Sequence, residues 1–426
     1  MNFLLQGISL LVVSISGILI IWRTLTNSGI KLKVRIDKDI SRENHTPKIK
    51  ECALIFSYAM LFRIFVVIAG FIIYCIFNDN GNEFQWNQIV KVWEKWDATN
   101  YIRISHGYTS FMVGDDYSTL VFFPLYSLLL SMVNTFILNI HAAALLTSAL
   151  CYSGACVFLY KLVCIDYPKS TAQKAVILMS IFPFGFFYGA IMSECAFLLT
   201  SIATLFYIRK HNWAAAGVVG MLAALSRSAG VFLVFPATVE FIEEYKLLES
   251  LKDINSKLII IAKKWAWLLL IPIGTCIYLY INYKVAGNPF EFLRLEEKYW
   301  SQTGQPFFKT VGSLWNIINS EKGVSTKMGA FIPGLVILLC MYAIMLISIP
   351  KHRSMYSAWL LVYLIVNTTM SWPLSLCRFL LCAVPVYVFL GDMCDKNNKL
   401  NTALLLGFGI LFGVYLTGYL MAKQIM

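Results

Sequence analysis

Asp97 stands in WDATNYIRISHGY, residues 96–108, ahead of the apolar stretch VFFPLYSLLL that begins at Val121. An ionisable side chain wedged between apolar segments is costly unless function requires it. Trp86, Trp93 and Trp96 surround it, and amphipathic aromatics anchor a segment at the lipid–water boundary. Tyr101 follows one helical turn later, and His106 and Tyr108 add polar tips. A carboxylate held at that boundary can take a proton from an acceptor hydroxyl as the hydroxyl attacks an electrophile. The plainer reading is an ordinary acid in a wet loop.

Three more charged residues interrupt apolar sequence. Glu194 lies in MSECAF with no basic neighbour; it reads as a helix-end carboxylate facing water, or as a second acid on the face of Asp97. Arg227, in LAALSRSAGVF, is flanked by apolar helix; it reads as a structural partner of a carboxylate or of broken-helix carbonyls, or as a functional residue, the default for an intramembrane arginine. A guanidinium also matches phosphate oxygens two at a time. Arg378, in SWPLSLCRFLLCAVP, stands at the start of an apolar run, as a snorkelling residue or as the partner of Arg227 in a phosphate site. Arg294, Glu296, Glu297 and Lys298 could border that site or form a solvated face. The histidines at positions 45, 141, 211 and 352 receive no role.

The elements that position these residues are membrane spans. The chain has 426 residues, of which 58% are hydrophobic and 14% charged, with a mean hydropathy of +0.68. Long apolar runs recur from end to end, which excludes a soluble enzyme and defines an all-α polytopic membrane protein. The net charge of +12 fits basic loops beside anionic lipid rather than nucleic acid. Eleven scattered cysteines show no CxxC or zinc spacing and read as small packing residues. The first apolar run lacks a basic start and a small-residue cleavage site and reads as a retained span.

Arg23 to Lys50 holds eight basic and three acidic residues, and Asn78 to Thr119 six acidic and three basic. The positive-inside rule puts the first loop in the cytoplasm, and the N-terminus and Asp97 outside. Neither ATP nor a nucleotide sugar is free there. Consistent sidedness requires that one of segments 120–138 and 141–163 not cross; the first, with Pro124, is assigned as re-entrant or juxtamembrane. Further spans are expected at 175–191, 195–208, 265–283, 329–349, 355–371, 379–391 and 402–421. Segment 213–239, interrupted by Ser226-Arg227-Ser228 and Gly230, reads as two half-helices. The long loop 284–328 falls outside.

Together these stretches resemble a known family. WDATNYIRISHGY with VFFPLYSLLL is similar to the WD…Y…GY…FFPL signature of the GPI mannosyltransferase II (PIG-V type) family and its bacterial relatives. IFPFGFFYGAIMSECAFLLTSIATLFY, WAAAGVVGMLAALSRSAG, GNPFEFLRLEEKYW and WPLSLCRFLLCAVPVY resemble that family's later segments in the same order, over roughly residues 85–390. Met192-Ser193 stands where Tyr-Ser is usual, Ser-Ala-Gly follows Arg227 in place of Ser-Asn-Gly, and Cys377 replaces a proline.

The resemblance implies a GT-C glycosyltransferase fold of about 10–13 membrane helices, re-entrant and half helices included, with juxtamembrane helices in the first large outer loop. It implies a single integral membrane domain: an extra N-terminal span and basic loop (1–52), a catalytic core (53–395) and a C-terminal span (396–426). It implies a hexosyltransferase, of mannose by family, using a polyprenyl-phosphate sugar with inversion at the extracytoplasmic face of a bacterial plasma membrane. Asp97 matches the family's base, and Glu194, Arg227 and Arg378 its acidic and basic positions. Trp96, Tyr101, His106 and Tyr108 are expected to line the substrate. The acceptor would be a glycolipid, glycan or protein hydroxyl, and no metal or other cofactor is obligatory. A flippase or transporter for a lipid-linked glycan is the alternative, and a non-catalytic scaffold a third reading.

Overall fold

The computed structural model describes residues 2–29, 46–77, 86–247 and 257–425. The basic loop residues from Lys31 to Arg42, with Asp37, Asp39, Glu43 and His45, lie outside that set, as do Asp79, Glu83 and the Trp86 side chain. The chain is all-α. Six helices are long and apolar enough to cross a membrane: α1 (Asn2–Asn27), α2 (Ile49–Phe77), α6 (Ile140–Asp166), α11 (Ala262–Ala286), α14 (Val324–Ser348) and α18 (Asn398–Leu420). Windows in α1, α2 and α18 are only 22% buried, so these helices turn apolar surface outward as lipid-facing spans do.

Between α2 and α6 the long connection carries α3 (Trp86–Lys91), α4 (Ala98–Ile104) and α5 (Leu125–Ile137). With 13 residues α5 is about 20 Å long, short of the roughly 30 Å hydrocarbon layer. Leu138, in the left-handed region at φ 56°, ends it, and the Asn139 side chain caps α6. The chain turns at Leu138 and Asn139 between α5 and α6.

Expected spans end early where local chemistry stops them. Segment 175–191 does not form one helix: α7 (Lys169–Ser180) gives way to a 3-10 turn at Gly185–Gly189. Pro183 has no N–H to continue a helix, and a Cβ on Gly185 would meet the Ser180 carbonyl at 2.9 Å. Then come α8 (Glu194–Arg209), α9 (Trp213–Ser226) and α10 (Val234–Glu244). α9 and α10 lie side by side instead of end to end, because the indole of Trp213 donates to Tyr245 at 3.1 Å. The reversal falls at Arg227, which is extended (φ −158°, ψ 153°). Gly230 packs on the Ala223 carbonyl where a Cβ would sit at 2.3 Å.

The second large loop holds α12 (Glu291–Trp300) and α13 (Phe307–Ser320). After α14 come α15 (Ser354–Asn367), α16 (Leu376–Leu380) and α17 (Val384–Lys396), so the run expected at 379–391 is broken just before Pro385.

The short helices α8, α9, α15 and α17 contain 16, 14, 14 and 13 residues, about 20–24 Å each. Buried ion pairs bind one end of α8 to α6, α10 and the start of α15. Arg209, the last residue of α8, grips Asp166 of α6 through Nε and Nη2 (2.6–3.1 Å) and reaches Glu240 of α10 at 3.1 Å. Arg353, before α15, also takes Glu240, at 2.8 Å.

Candidate active site

All four singled-out charged residues meet at the other end of α8. Glu194 opens α8, Arg227 closes α9, and Arg378 lies on α16 before α17. Asp97 is the N-terminal flanking residue of α4. Arg227 Nη1 donates to Glu194 Oε1 at 2.6 Å. The Nε of Arg378 is 2.9 Å from the same oxygen, and its Nη2 is 2.7 Å from Asp97 Oδ2. The result is a continuous chain, Asp97–Arg378–Glu194–Arg227, of two acids and two bases. Glu194 is 1% exposed and its Oε2 has no partner.

Neighbouring groups hold the chain in place. Phe379 lies between the two guanidiniums, its ring centroid 4.3 Å from the Arg227 Cζ and 5.2 Å from that of Arg378. The Phe379 carbonyl accepts from Tyr363 at 2.7 Å. Tyr101 donates to Ser193, the residue before Glu194, at 2.8 Å, and so ties the connection between α2 and α6 to α8. Ser127 of α5 donates to the Tyr101 carbonyl at 2.8 Å. Trp96 has a φ of 55°, a left-handed conformation rare for a bulky residue and costing about 1–3 kcal/mol. It turns the chain sharply just before Asp97. Trp93 is fully buried, and its carbonyl accepts from Tyr419 of α18 at 3.0 Å.

The other expected site residues divide. Tyr101 and Trp96 adjoin the chain of charges. Tyr108 donates to the Phe122 carbonyl at 2.7 Å and braces the loop. His106 is exposed and joined to none of the four. The unassigned histidines have partners: His141 pairs with Glu94, His211 with Glu240 and Glu244, and His352 Nδ1 lies 2.6 Å from the Tyr167 hydroxyl.

Arg63, in the middle of α2, carries no signal in the sequence beyond being a charge in an apolar run. It is 2% exposed, its Cζ lies 3.8 Å from the Tyr152 ring centroid, and none of its three nitrogens has a hydrogen-bond partner.

Across the two long connections, Arg294 and Lys298 of α12 each reach Asp116 at 2.6 Å, and Tyr299 donates to it at 2.8 Å. These partners hold the Asp116 carboxyl well below the usual range. Glu296 on the same helix has no such partner, and burial pushes it up to about 7. Among the described residues no cluster of three His, Cys, Asp or Glu side chains could hold a metal ion.

No family description and no curated protein matches the chain. Solved structures do. The chain is similar to ArnT from Cupriavidus metallidurans bound to undecaprenyl phosphate, at 13% identity and a TM-score of 0.50, covering 82% of this chain and 63% of that one. The apo state of the same protein aligns at 14% identity and 0.48, covering 74% and 60%. An oligosaccharyltransferase from Archaeoglobus fulgidus tethered with an acceptor peptide aligns at 14% and 0.44, covering 88% and 55%. The chain thus spans about two thirds or less of the length of these proteins. What they share with it is the fold. The chain is an all-α, multi-span membrane protein with a GT-C-like fold.

Proposed function

We propose that this chain is a membrane glycosyltransferase of PIG-V type, moving a sugar, mannose by its sequence resemblance, from a polyprenyl-phosphate donor to an acceptor hydroxyl with inversion. The observation that carries the reading is the convergence of Asp97, Arg378, Glu194 and Arg227 in one buried ion-paired chain. Two guanidiniums beside an acid suit an electrophile carried on a lipid phosphate. The GT-C-like fold supports it, and the similar ArnT structure holds undecaprenyl phosphate, a ligand of the proposed class.

The chemistry follows from the pairing. A carboxylate bridged to a guanidinium is a poor base, because accepting a proton breaks the ion pair. A donor phosphodiester offers Arg378 and Arg227 competing oxygens, and their planar forks suit it. Drawing Arg378 toward the phosphate frees Asp97. Asp97 then takes the acceptor's proton while the acceptor oxygen bonds the anomeric carbon. The bond from that carbon to phosphate breaks, and its electron pair leaves as polyprenyl phosphate. The two guanidiniums stabilise the charge gained by the leaving group. Glu194 keeps them together before the donor arrives. No divalent metal is assigned a step.

The alternative is a flippase or transporter of a lipid-linked glycan. Its charges should continue across the layer. Here the two clusters sit at opposite ends of α8 with an apolar helix between, which favours the enzyme. The test is turnover of a short-chain polyprenyl-phosphate mannose by the detergent-solubilised chain. Asp97→Asn should lose it by about a hundredfold or more with its melting profile kept. Unchanged turnover in that variant would remove Asp97 as base, and no donor consumption by wild type would sink the enzyme reading.

A further inference from the structure

α12 lies over the outer side of the site. Residues 292, 295, 296, 299 and 300 share one arc of the helix by its periodicity. Phe292 meets Tyr278, with ring centroids 5.3 Å apart, and Trp300 meets Phe122 at 5.5 Å; Leu295 is fully buried. Glu296 stands between Phe292 and Trp300 and faces the same way. Arg294 and Lys298 reach Asp116 from the other side of the helix. No described side chain pairs with the Glu296 carboxyl.

The floor beneath it belongs to the site. Phe122 packs on Tyr101 at 5.2 Å, and Tyr101 is the residue bonded to Ser193. Tyr278 lies within electrostatic reach of Glu296, Tyr108 and Tyr101. Beside it Asn282 is fully buried with its Oδ1 unpartnered, while its Nδ2 donates to the Tyr278 carbonyl at 3.1 Å. Beyond α12 the chain is zipped to the segment that leads to Arg378: Gln305 N–H donates to Thr369 at 2.8 Å and Ser371 N–H to Thr303 at 3.1 Å. α12 therefore links the segment around Asp97 to the segment that leads to Arg378. It carries an unpaired carboxyl, and Asn282 of α11, beside Tyr278, an unpaired amide oxygen.

We propose that Glu296, with Asn282, forms the acceptor half of the site and takes a polyhydroxylated, saccharide-type acceptor by hydrogen bonds from its hydroxyls. Two unpaired oxygens suit a ligand rich in donors. An anionic lipid phosphate would be repelled by Glu296 and goes instead to the arginines. This rests on the glycosyltransferase reading above.

The test separates the two. The detergent-solubilised full chain is given a short-chain polyprenyl-phosphate mannose, alone and with a panel of methyl glycosides, and donor hydrolysis by water is measured beside transfer. Glu296→Gln should hydrolyse donor within about twofold of wild type and lose at least about tenfold in transfer relative to hydrolysis. Glu296→Asp should recover part of that loss. Retained hydrolysis shows the variant folded. An unchanged transfer-to-hydrolysis ratio, or an equal fall in both, overturns the role of Glu296. A wild type that hydrolyses donor but uses no glycoside overturns the saccharide class. A wild type that consumes no donor overturns the glycosyltransferase reading and this inference with it.

Discussion

Arg378 and Asp97 are joined side chain to side chain, Nη2 to Oδ2 at 2.7 Å, although they come from opposite ends of the chain. In the proposed reaction the base would be held by the same guanidinium that the donor phosphate needs, so donor arrival and base activation would be one exchange of partners. In Asp97→Asn, Arg378 no longer has to leave a carboxylate, so a polyprenyl monophosphate should bind as tightly as to wild type or tighter, while turnover is lost. A titration of intrinsic tryptophan fluorescence checks this; weaker binding by the asparagine variant would contradict the exchange.

Arg378→Lys keeps the charge and loses the planar fork that spans Asp97 and Glu194. Phosphate affinity should fall by about tenfold or more, since one bidentate contact becomes a point charge. Equal affinity in the lysine variant would show that charge alone suffices.

At the far end of α8, Arg209→Met should be among the most destabilising single changes in the chain. It leaves Asp166 buried without its cation while Glu240 keeps Arg353 and His211, a loss of about 3–5 kcal/mol. Arg63→Met should behave oppositely. That guanidinium has no hydrogen-bond partner to lose, and methionine fills similar volume without the desolvation cost, so the melting temperature should hold or rise. Melting curves of both variants in one detergent make the comparison.

Stability should also depend on pH through Glu296. Its folded value is raised from 4.5 to about 7 by burial. The contribution is full below the unfolded value and is lost as pH rises through about 7. Wild type should melt lower at pH 8 than at pH 5.5, and Glu296→Gln should remove most of that difference. Asp116 has the opposite sign. Its lowered value makes its contribution present above the unfolded value and lost as pH falls below it.

The apolar runs by themselves determine that the chain spans a membrane, and the Trp-rich, acidic loop singles out Asp97. Pro124 marks the start of α5, an apolar helix too short to count among the six long ones. These features are local: burying an apolar run or breaking a helix depends on the residues within it and on the surrounding solvent. The same logic located the break at Arg227 but not its geometry. Whether α9 and α10 continue in line or fold together depends on Gly230 against Ala223 and on Trp213 against Tyr245, which are contacts between segments. The early end of α7 was legible in Pro183 and passed over because the apolar run continues past it.

Partnership was beyond the sequence. Nothing along the chain says that Glu194 takes both arginines, that Arg378 also holds Asp97, or that Arg209 ties the other end of α8 to α6 and α10. An ion pair between distant residues is fixed by where packed helices stop, and only the tertiary structure decides that. It brought four separate charges into one chain, left Glu296 unpaired above them, and placed His106 in solvent.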